Sequence, residues 1–320
     1  MKYLITGGAG FIGSHLVDAL ISRGDQVVVI DNFSTGSKNN LVKSQNSPHL
    51  RLVDGSILEA SLVRRVMSQV DGCFHMAAAV GVAKILSDPI GSLKTNIHGT
   101  ENVLDLALEY GVPVLLASTS EIYGKSSDSI LDEESDRILG SPTLARWTYA
   151  EAKAIDESYA IALHNHHGLN VKIIRYFNTV GPRQSASYGM VIPRFFADSV
   201  KNRSVNVHGS GSQRRIFCHV DDAISGTLSL WDSKDGNGHV FNLAGSEEIR
   251  IIDLAERIIR LTKSQSKIEL IPYEIMRKSG FEDIQRRLPD TSKLRNLTGW
   301  FPKKGITEIL DSYYEYLLDR

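Results

Sequence analysis

The feature that most constrains this chain is its opening, Met1-Lys-Tyr-Leu-Ile-Thr-Gly-Gly-Ala-Gly-Phe-Ile-Gly-Ser-His15. A short apolar run, Tyr3 to Ile5, stops at Gly7. Gly10 and Gly13 follow at steps of three, before an amphipathic stretch from Ser14 to Arg23. This predicts a strand, a tight turn and a helix N-terminus. Gly7 lets the chain turn, Gly10 lets the backbone approach a ligand, and Gly13 lets helix and strand pack closely. The unpaired N–H groups and the positive end of the helix dipole then face an anion, which points to a pyrophosphate. Gln26-Val-Val-Val-Ile30 reads as a second buried strand with Asp31 at its end. An acidic residue roughly twenty positions past the glycines accepts hydrogen bonds from both adenosine ribose hydroxyls and repels a 2′-phosphate, which favours NAD over NADP. Phe11 and Ile12 on the turn, and Asn32 beside Asp31, complete the nearby cofactor candidates.

The chain that follows alternates as a parallel sheet requires. Leu50 to Val53 is a third strand, with Asp54 at its end as a candidate partner for the adenine amine. An amphipathic segment from Leu58 to Val70 precedes a fourth strand beginning Gly72-Cys-Phe-His75. Ala77-Ala-Ala79 lacks bulk, which suits either a flat ligand or plain helix–sheet packing. Leu93 to Tyr110 has helical periodicity and ends at Gly111; Val112 to Ser118 is the fifth strand. A helix from Ser141-Pro142 to about His166 leads to the sixth strand, Val171 to Tyr176. Such alternation predicts a doubly wound parallel α/β sheet with ligands at the C-terminal strand ends.

After Asn178 the pattern changes. Gly181-Pro-Arg183, the Ser-rich 184–188 stretch and Gly209-Ser-Gly211 suggest a smaller mixed α/β lobe containing helices at Ile251 to Leu261 and Ile306 to Leu318. The expected division is 1–177 for the NAD-binding domain and 178–320 mainly for the substrate-binding lobe, with a candidate return strand near 238–245, Val240-Phe-Asn-Leu243.

Composition removes several function classes. Lys and Arg (36) nearly balance Asp and Glu (37), so no global field argues for nucleic acid or anionic membrane as a partner. No apolar run approaches bilayer length, and the N-terminus enters the nucleotide fold without room for a signal peptide. Cys73 and Cys218 are too few for a disulfide framework and fit buried positions in a reducing cytoplasm. His164, His166 and His167 cluster at a helix end, where no carboxylate or Cys spacing completes a metal site.

Two places carry chemistry. Tyr149 and Lys153 are four apart on a predicted helix, so their side chains share a face. An ammonium beside a phenol stabilises phenolate and is expected to lower the tyrosine's pKa from about 10 toward neutrality. Such a tyrosine removes a hydroxyl proton while hydride leaves the same carbon. Ser118-Thr-Ser-Glu-Ile-Tyr-Gly124 closes the fifth strand, where Thr119 can donate to the oxygen that becomes a ketone. Glu121 is a candidate acid or base, or a loop cap.

Together, Gly7-x-x-Gly10-x-x-Gly13, Asp31, Thr119, Tyr149-x-x-x-Lys153 and Phe177-Asn178 resemble the extended short-chain dehydrogenase/reductase superfamily, in particular its nucleotide-sugar epimerases, dehydratases and decarboxylases. The resemblance spans essentially the whole chain. It implies a Rossmann fold, tightly held NAD and a transient 4-keto sugar. Tyr149 would take the proton from the sugar O4, Lys153 would hold the nicotinamide ribose, and Thr119 would bind O4. Asn96 matches a structural asparagine near the cofactor. Asn178, Arg215 and Arg287 match positions that contact the nucleotide diphosphate, and the family often forms homodimers through the Leu93–Tyr110 helix and the one bearing Tyr149.

The branch is carried by finer matches. Thr119-Ser120-Glu121 is similar to decarboxylases and to the GDP-mannose dehydratase branch, whereas UDP-glucose epimerases usually have Ser or Ala around positions 120 and 121. Arg146-Trp-Thr-Tyr149, Phe177 to Arg183, and Gln285-Arg-Arg-Leu-Pro-Asp290 lean toward the decarboxylases, in which the position of Arg287 is implicated in catalysis. Arg183 and Ser120 join the substrate candidates. Decarboxylation of UDP-glucuronate to UDP-xylose is the leading expectation, with 4-epimerisation and 4,6-dehydration as rivals and an idle NAD-binding module as the third. Glu121 beside a substrate carboxylate is a like-charge contact unless one is protonated or an arginine intervenes.

Overall fold

The computed structural model describes residues 1–81, 85, 87–126, 130–186, 189–273 and 287–319. Of the stretches singled out above, Ser187, Tyr188, Gln285 and Arg286 lie outside them.

Six strands alternate with helices along the first half of the chain. They are β1 (Lys2–Thr6), β2 (Gln26–Asp31), β3 (Leu50–Asp54), β4 (Gly72–His75), β5 (Val114–Thr119) and β6 (Val171–Tyr176). With Val240–Leu243 they form one seven-stranded sheet in the order Val240–Leu243, β6, β5, β4, β1, β2, β3. Every neighbouring pair is parallel. The strand order reverses beside β1, and the crevice at that reversal is where such sheets bind ligands.

Helices cover both faces. They include α1 (Phe11–Ser22), α2 (Ala60–Met67), α3 (Pro89–Tyr110) and α4 (Thr148–His167). Asp88 caps α3, its side chain accepting from Gly91 N–H, with Pro89 at the first turn; Gly111 at φ +66° ends it. One face of the sheet buries Leu16, Val17 and Leu20 of α1, and the other buries Val103, Leu104 and Ala107 of α3. None of the described helices is long and apolar enough to cross a membrane.

Two expectations need adjusting. The helix expected from Ser141-Pro142 begins instead at Thr148, after a 3-10 turn at Ala145–Trp147. Ser141 Oγ accepts from Thr143 N–H and turns the chain early, and Trp147 is fully buried. The Val220–Asp232 helix also joins the first layer, packing Val220, Ala223, Ile224 and Leu230 into the core beside α1. Lys172 ties it there, donating to the Leu230 and Trp231 carbonyls at 2.9 and 3.1 Å. The remaining lobe has its own core, where Phe195, Phe196, Leu254, Ile258, Ile309 and Tyr313 meet. Its helices Ile251–Leu261 and Ile306–Leu318 lie where the sequence suggested.

Candidate active site

A cleft of about 850 Å³ opens at the C-terminal strand ends. One wall is the glycine turn. Gly7 adopts φ +69°, and a Cβ on Gly13 would stand 2.3 Å from the Gly7 carbonyl oxygen. A Cβ on Gly10 would meet only that same oxygen, at 3.1 Å, so backbone is exposed to the cleft there. α1 starts without a side-chain cap and without an acidic residue in its first turn. Its free N–H groups at Phe11, Ile12 and Gly13 therefore suit a pyrophosphate. Asp31 lines the same cleft, accepting from the Ala9 and Phe33 N–H groups at 2.9 and 2.8 Å, and burial pushes its carboxyl up. The residues present thus fit a dinucleotide, and Asn32 lies on the rim beside them.

Across the cleft, Thr119 ends β5 and its Oγ1 accepts from Glu121 N–H at 3.2 Å. The Tyr149 phenol is hydrogen-bonded to the Thr119 side chain, and Lys153, 2% exposed, reaches the same cleft from one turn further along α4. The expected acidification of the phenol is not what this arrangement gives. Burial raises the Tyr149 pKa, and the Glu121 and Asp156 carboxylates raise it further. Burial is the chief physical reason, and the Lys153 ammonium that would oppose it is engaged elsewhere, donating to Asp156 Oδ2 at 3.1 Å.

Glu121 stands between two arginines, Arg146 in the lining of the cleft and Arg287 buried outside it. Arg287 Nη1 donates to one carboxylate oxygen at 2.5 Å, and Arg146 Nη2 donates to the other. Burial alone would raise this carboxyl, but the Arg287 and Arg146 guanidiniums prevail and hold it well below the usual carboxylate range. Two cations against one anion leave a surplus positive charge. Arg287 Nε and Nη2 and Arg146 Nε are buried without a hydrogen-bond partner among the described residues. Unpaired guanidinium donors are costly unless an anion arrives to accept from them.

The other candidates divide. Ser120 lines the cleft beside Glu121. Asn178, at φ +35°, lines it while donating to the Ile216 carbonyl at 2.8 Å. Arg183, at φ +71°, also lines it and is paired with Asp18 of α1 at 2.6 Å. Asn96 lies behind the wall, clasping both the N–H and the carbonyl of Ala79 at 2.7 and 3.2 Å. Asp54 falls outside the lining, with its side chain 69% exposed and 4.0 Å from Lys38. Arg215 lies on the Arg214–Ile216 strand and donates to its neighbour's carbonyl, also outside the lining. Sequence reasoning gave no role to Arg146 or Asp156. Their signal was local: each lies three residues from a member of the Tyr149–Lys153 pair.

This fold and cleft define a class of protein. Residues 3–244 match the NAD dependent epimerase/dehydratase family, and the chain belongs to it. It is accordingly an NAD-dependent enzyme that modifies nucleotide sugars. It is 38% identical to the UDP-N-acetyl-alpha-D-glucosaminuronate decarboxylase of Bacillus cytotoxicus, over 98% of each chain. It is 36% identical to UDP-glucuronic acid decarboxylase 1 of Arabidopsis thaliana, over 96% of this chain and 68% of that one. Among solved structures it resembles the UDP-glucuronic acid 4-epimerase of Bacillus cereus in complex with UDP-glucuronic acid and NAD. There the TM-score is 0.89 and the identity 26%, covering 100% of this chain and 99% of that one.

Proposed function

We propose that the chain decarboxylates a UDP-hexuronate, UDP-glucuronate to UDP-xylose in the first instance. The observation that carries this reading is the pair of arginines around Glu121. A uronate carboxylate facing Glu121 alone would be repelled, but Arg146 and Arg287 turn the site net positive and present unpaired donors.

NAD, when bound against the glycine turn and Lys153, supplies the hydride acceptor and later returns the hydride. Tyr149 takes the O4 proton, with Thr119 hydrogen-bonded to the same oxygen. Oxidation at C4 makes a β-keto acid. The C5–C6 bond then breaks, CO2 leaves, and the electron pair rests on the enolate oxygen, stabilised by Thr119 and Tyr149. Protonation at C5 and reduction at C4 complete a pentose. Arg287 and Arg146 hold the departing carboxylate before the bond breaks, and Asn178 and Arg183 face the nucleotide diphosphate.

The Bacillus cytotoxicus relative supports a second substrate, the same uronate with an acetamido group at C2. We read the chain as a cytoplasmic homodimer. Free, buried Cys73 and Cys218 support the compartment. Support for the dimer comes from Ile90 on α3 and Ile155 on α4, which are 68% and 49% exposed.

One assay tests the reaction. The protein is incubated with NAD and, separately, UDP-glucuronate, UDP-N-acetylglucosaminuronate, UDP-glucose and GDP-mannose, and products are weighed by mass spectrometry. Loss of CO2 from either uronate is expected. Loss of water, or an isomer at unchanged mass, contradicts the proposal.

A further inference from the structure

Behind the cleft a file of polar groups runs from the glycine turn to the lysine. The Ala77 N–H, which packs against Gly7, donates to Thr6 Oγ1 at 3.2 Å. Thr6 Oγ1 lies 2.7 Å from His75 Nδ1, and His75 Nε2 lies 3.0 Å from Thr100 Oγ1. The Thr100 side chain bonds Asp156, and Lys153 Nζ reaches Asp156 Oδ2 at 3.1 Å. All five side chains are 2% exposed or less.

Donor and acceptor bookkeeping gives this file a direction. An ionised carboxylate only accepts, so the Thr100 hydroxyl donates to Asp156 and itself accepts from His75 Nε2–H. A neutral imidazole protonated on Nε2 accepts at Nδ1, so Thr6, which accepts from Ala77 N–H, gives its own proton to His75. His75 is neutral: burial, with the Lys153 charge behind it, holds its pKa down to about 3. Asp156 therefore receives two donors, and it does not line the cleft. It acts on the site only through Lys153 and through its field.

We propose that Asp156 is a positioning residue for the Tyr149–Lys153 pair, its carboxylate holding the ammonium and offsetting the positive charge felt by the phenol. This rests on the reading of Tyr149 as the base. The other charges facing the pair keep their own partners whether or not Asp156 is charged. Glu121, facing Tyr149 from beyond β5, is tied to Arg146 and Arg287. Glu157, next to Asp156 on α4, is tied to Arg175 at 2.7 Å. His75, facing from β4, is neutral. Removing the Asp156 charge thus leaves Lys153 unmatched, in addition to the surplus positive charge at Arg146 and Arg287.

The test uses the NAD-loaded enzyme and two uncharged variants, Asp156→Asn and Asp156→Ser. The acid limb of kcat/KM, which reports loss of the Tyr149 proton, is expected to move down by about one pH unit. Phenolate absorbance, titrated by difference against a Tyr149→Phe background, is expected to move the same way. Asp156→Glu keeps the charge and is expected to keep the wild-type limb. An unmoved limb and phenolate titration in either uncharged variant overturns the proposal, as does an equal shift in Asp156→Glu. An active Tyr149→Phe would instead remove Tyr149 as the base, leaving the phenolate titration to judge Asp156 by itself.

Discussion

The glycine turn and the Glu121 cluster face each other across one cleft and are built on opposite principles. The turn is made of backbone: Gly7, Gly10 and Gly13 contribute by having no side chain, and the start of α1 offers uncapped N–H groups suited to an anion. The Glu121 cluster is made of long charged side chains from three separate segments, with donors left over. The first kind of site leaves little room for an added atom, above all at Gly7 and Gly13, and meets charge through fixed backbone dipoles. The second tolerates small changes of shape but depends on a count of charges. In the proposed reaction, geometry holds the cofactor and electrostatics selects the outcome.

The largest effect expected separates holding from reacting. Tyr149→Phe should lower turnover by about 10²–10⁴-fold, the range for a lost general base, while NAD still binds. Equilibrium NAD binding beside steady-state rates would check it, and joint loss would erase the distinction between the two regions. Next is Arg287→Met, which leaves Glu121 with Arg146 alone and a site without surplus charge. CO2 release should fall by about 10²-fold, the order seen when one transition-state donor is removed, with the cradle unaffected.

Gly13→Ala attacks the other side. Its methyl would stand 2.3 Å from a backbone oxygen, so helix and turn must separate. About 1–3 kcal/mol of stability should be lost, and NAD affinity with it, readable from denaturant melts with and without NAD.

The smallest effect concerns His75, which links the glycine turn to the Asp156–Lys153 pair through the buried polar groups behind the cleft. Its folded pKa, about 3, lies below the ordinary value of 6.5, so the unfolded chain binds one more proton between them. Stability therefore falls as the pH drops below 6.5, by about 1.4 kcal/mol per pH unit from this residue. His75→Gln should flatten that slope by one proton in melts between pH 6.5 and 5. An unchanged slope would mean that His75 titrates freely in the fold.

The same contrast explains what could be read from the chain without coordinates. The turn, β1, β2 and Asp31 are encoded within the first 31 residues, where apolar runs and glycine spacing act locally. Tyr149 and Lys153 were legible because helical geometry relates positions four apart. The Glu121 cluster was not legible in the same way. Its partners lie 25 and 166 positions away, and no periodicity connects them. Family resemblance marked Arg287 but could not say that it would grip Glu121. The phenol's pKa was misjudged for the same kind of reason. Lys153 read without Asp156 gives the wrong sign, and Asp156 is buried beside it because α3 packs on α4 and brings Thr100 to its carboxylate. Asp54 shows the limit of placing a residue by strand position, since a strand end fixes the backbone and not where the side chain settles.

The central claim is that Arg146, Arg287 and Glu121 together receive a substrate carboxylate and release it. UDP-glucuronate labelled at C6 tests this most directly, with the protein and NAD and the label followed over time. The account predicts that the label leaves as CO2 while the nucleotide product loses it. Label kept in a UDP-hexuronate isomer, with the enzyme turning over, would contradict it.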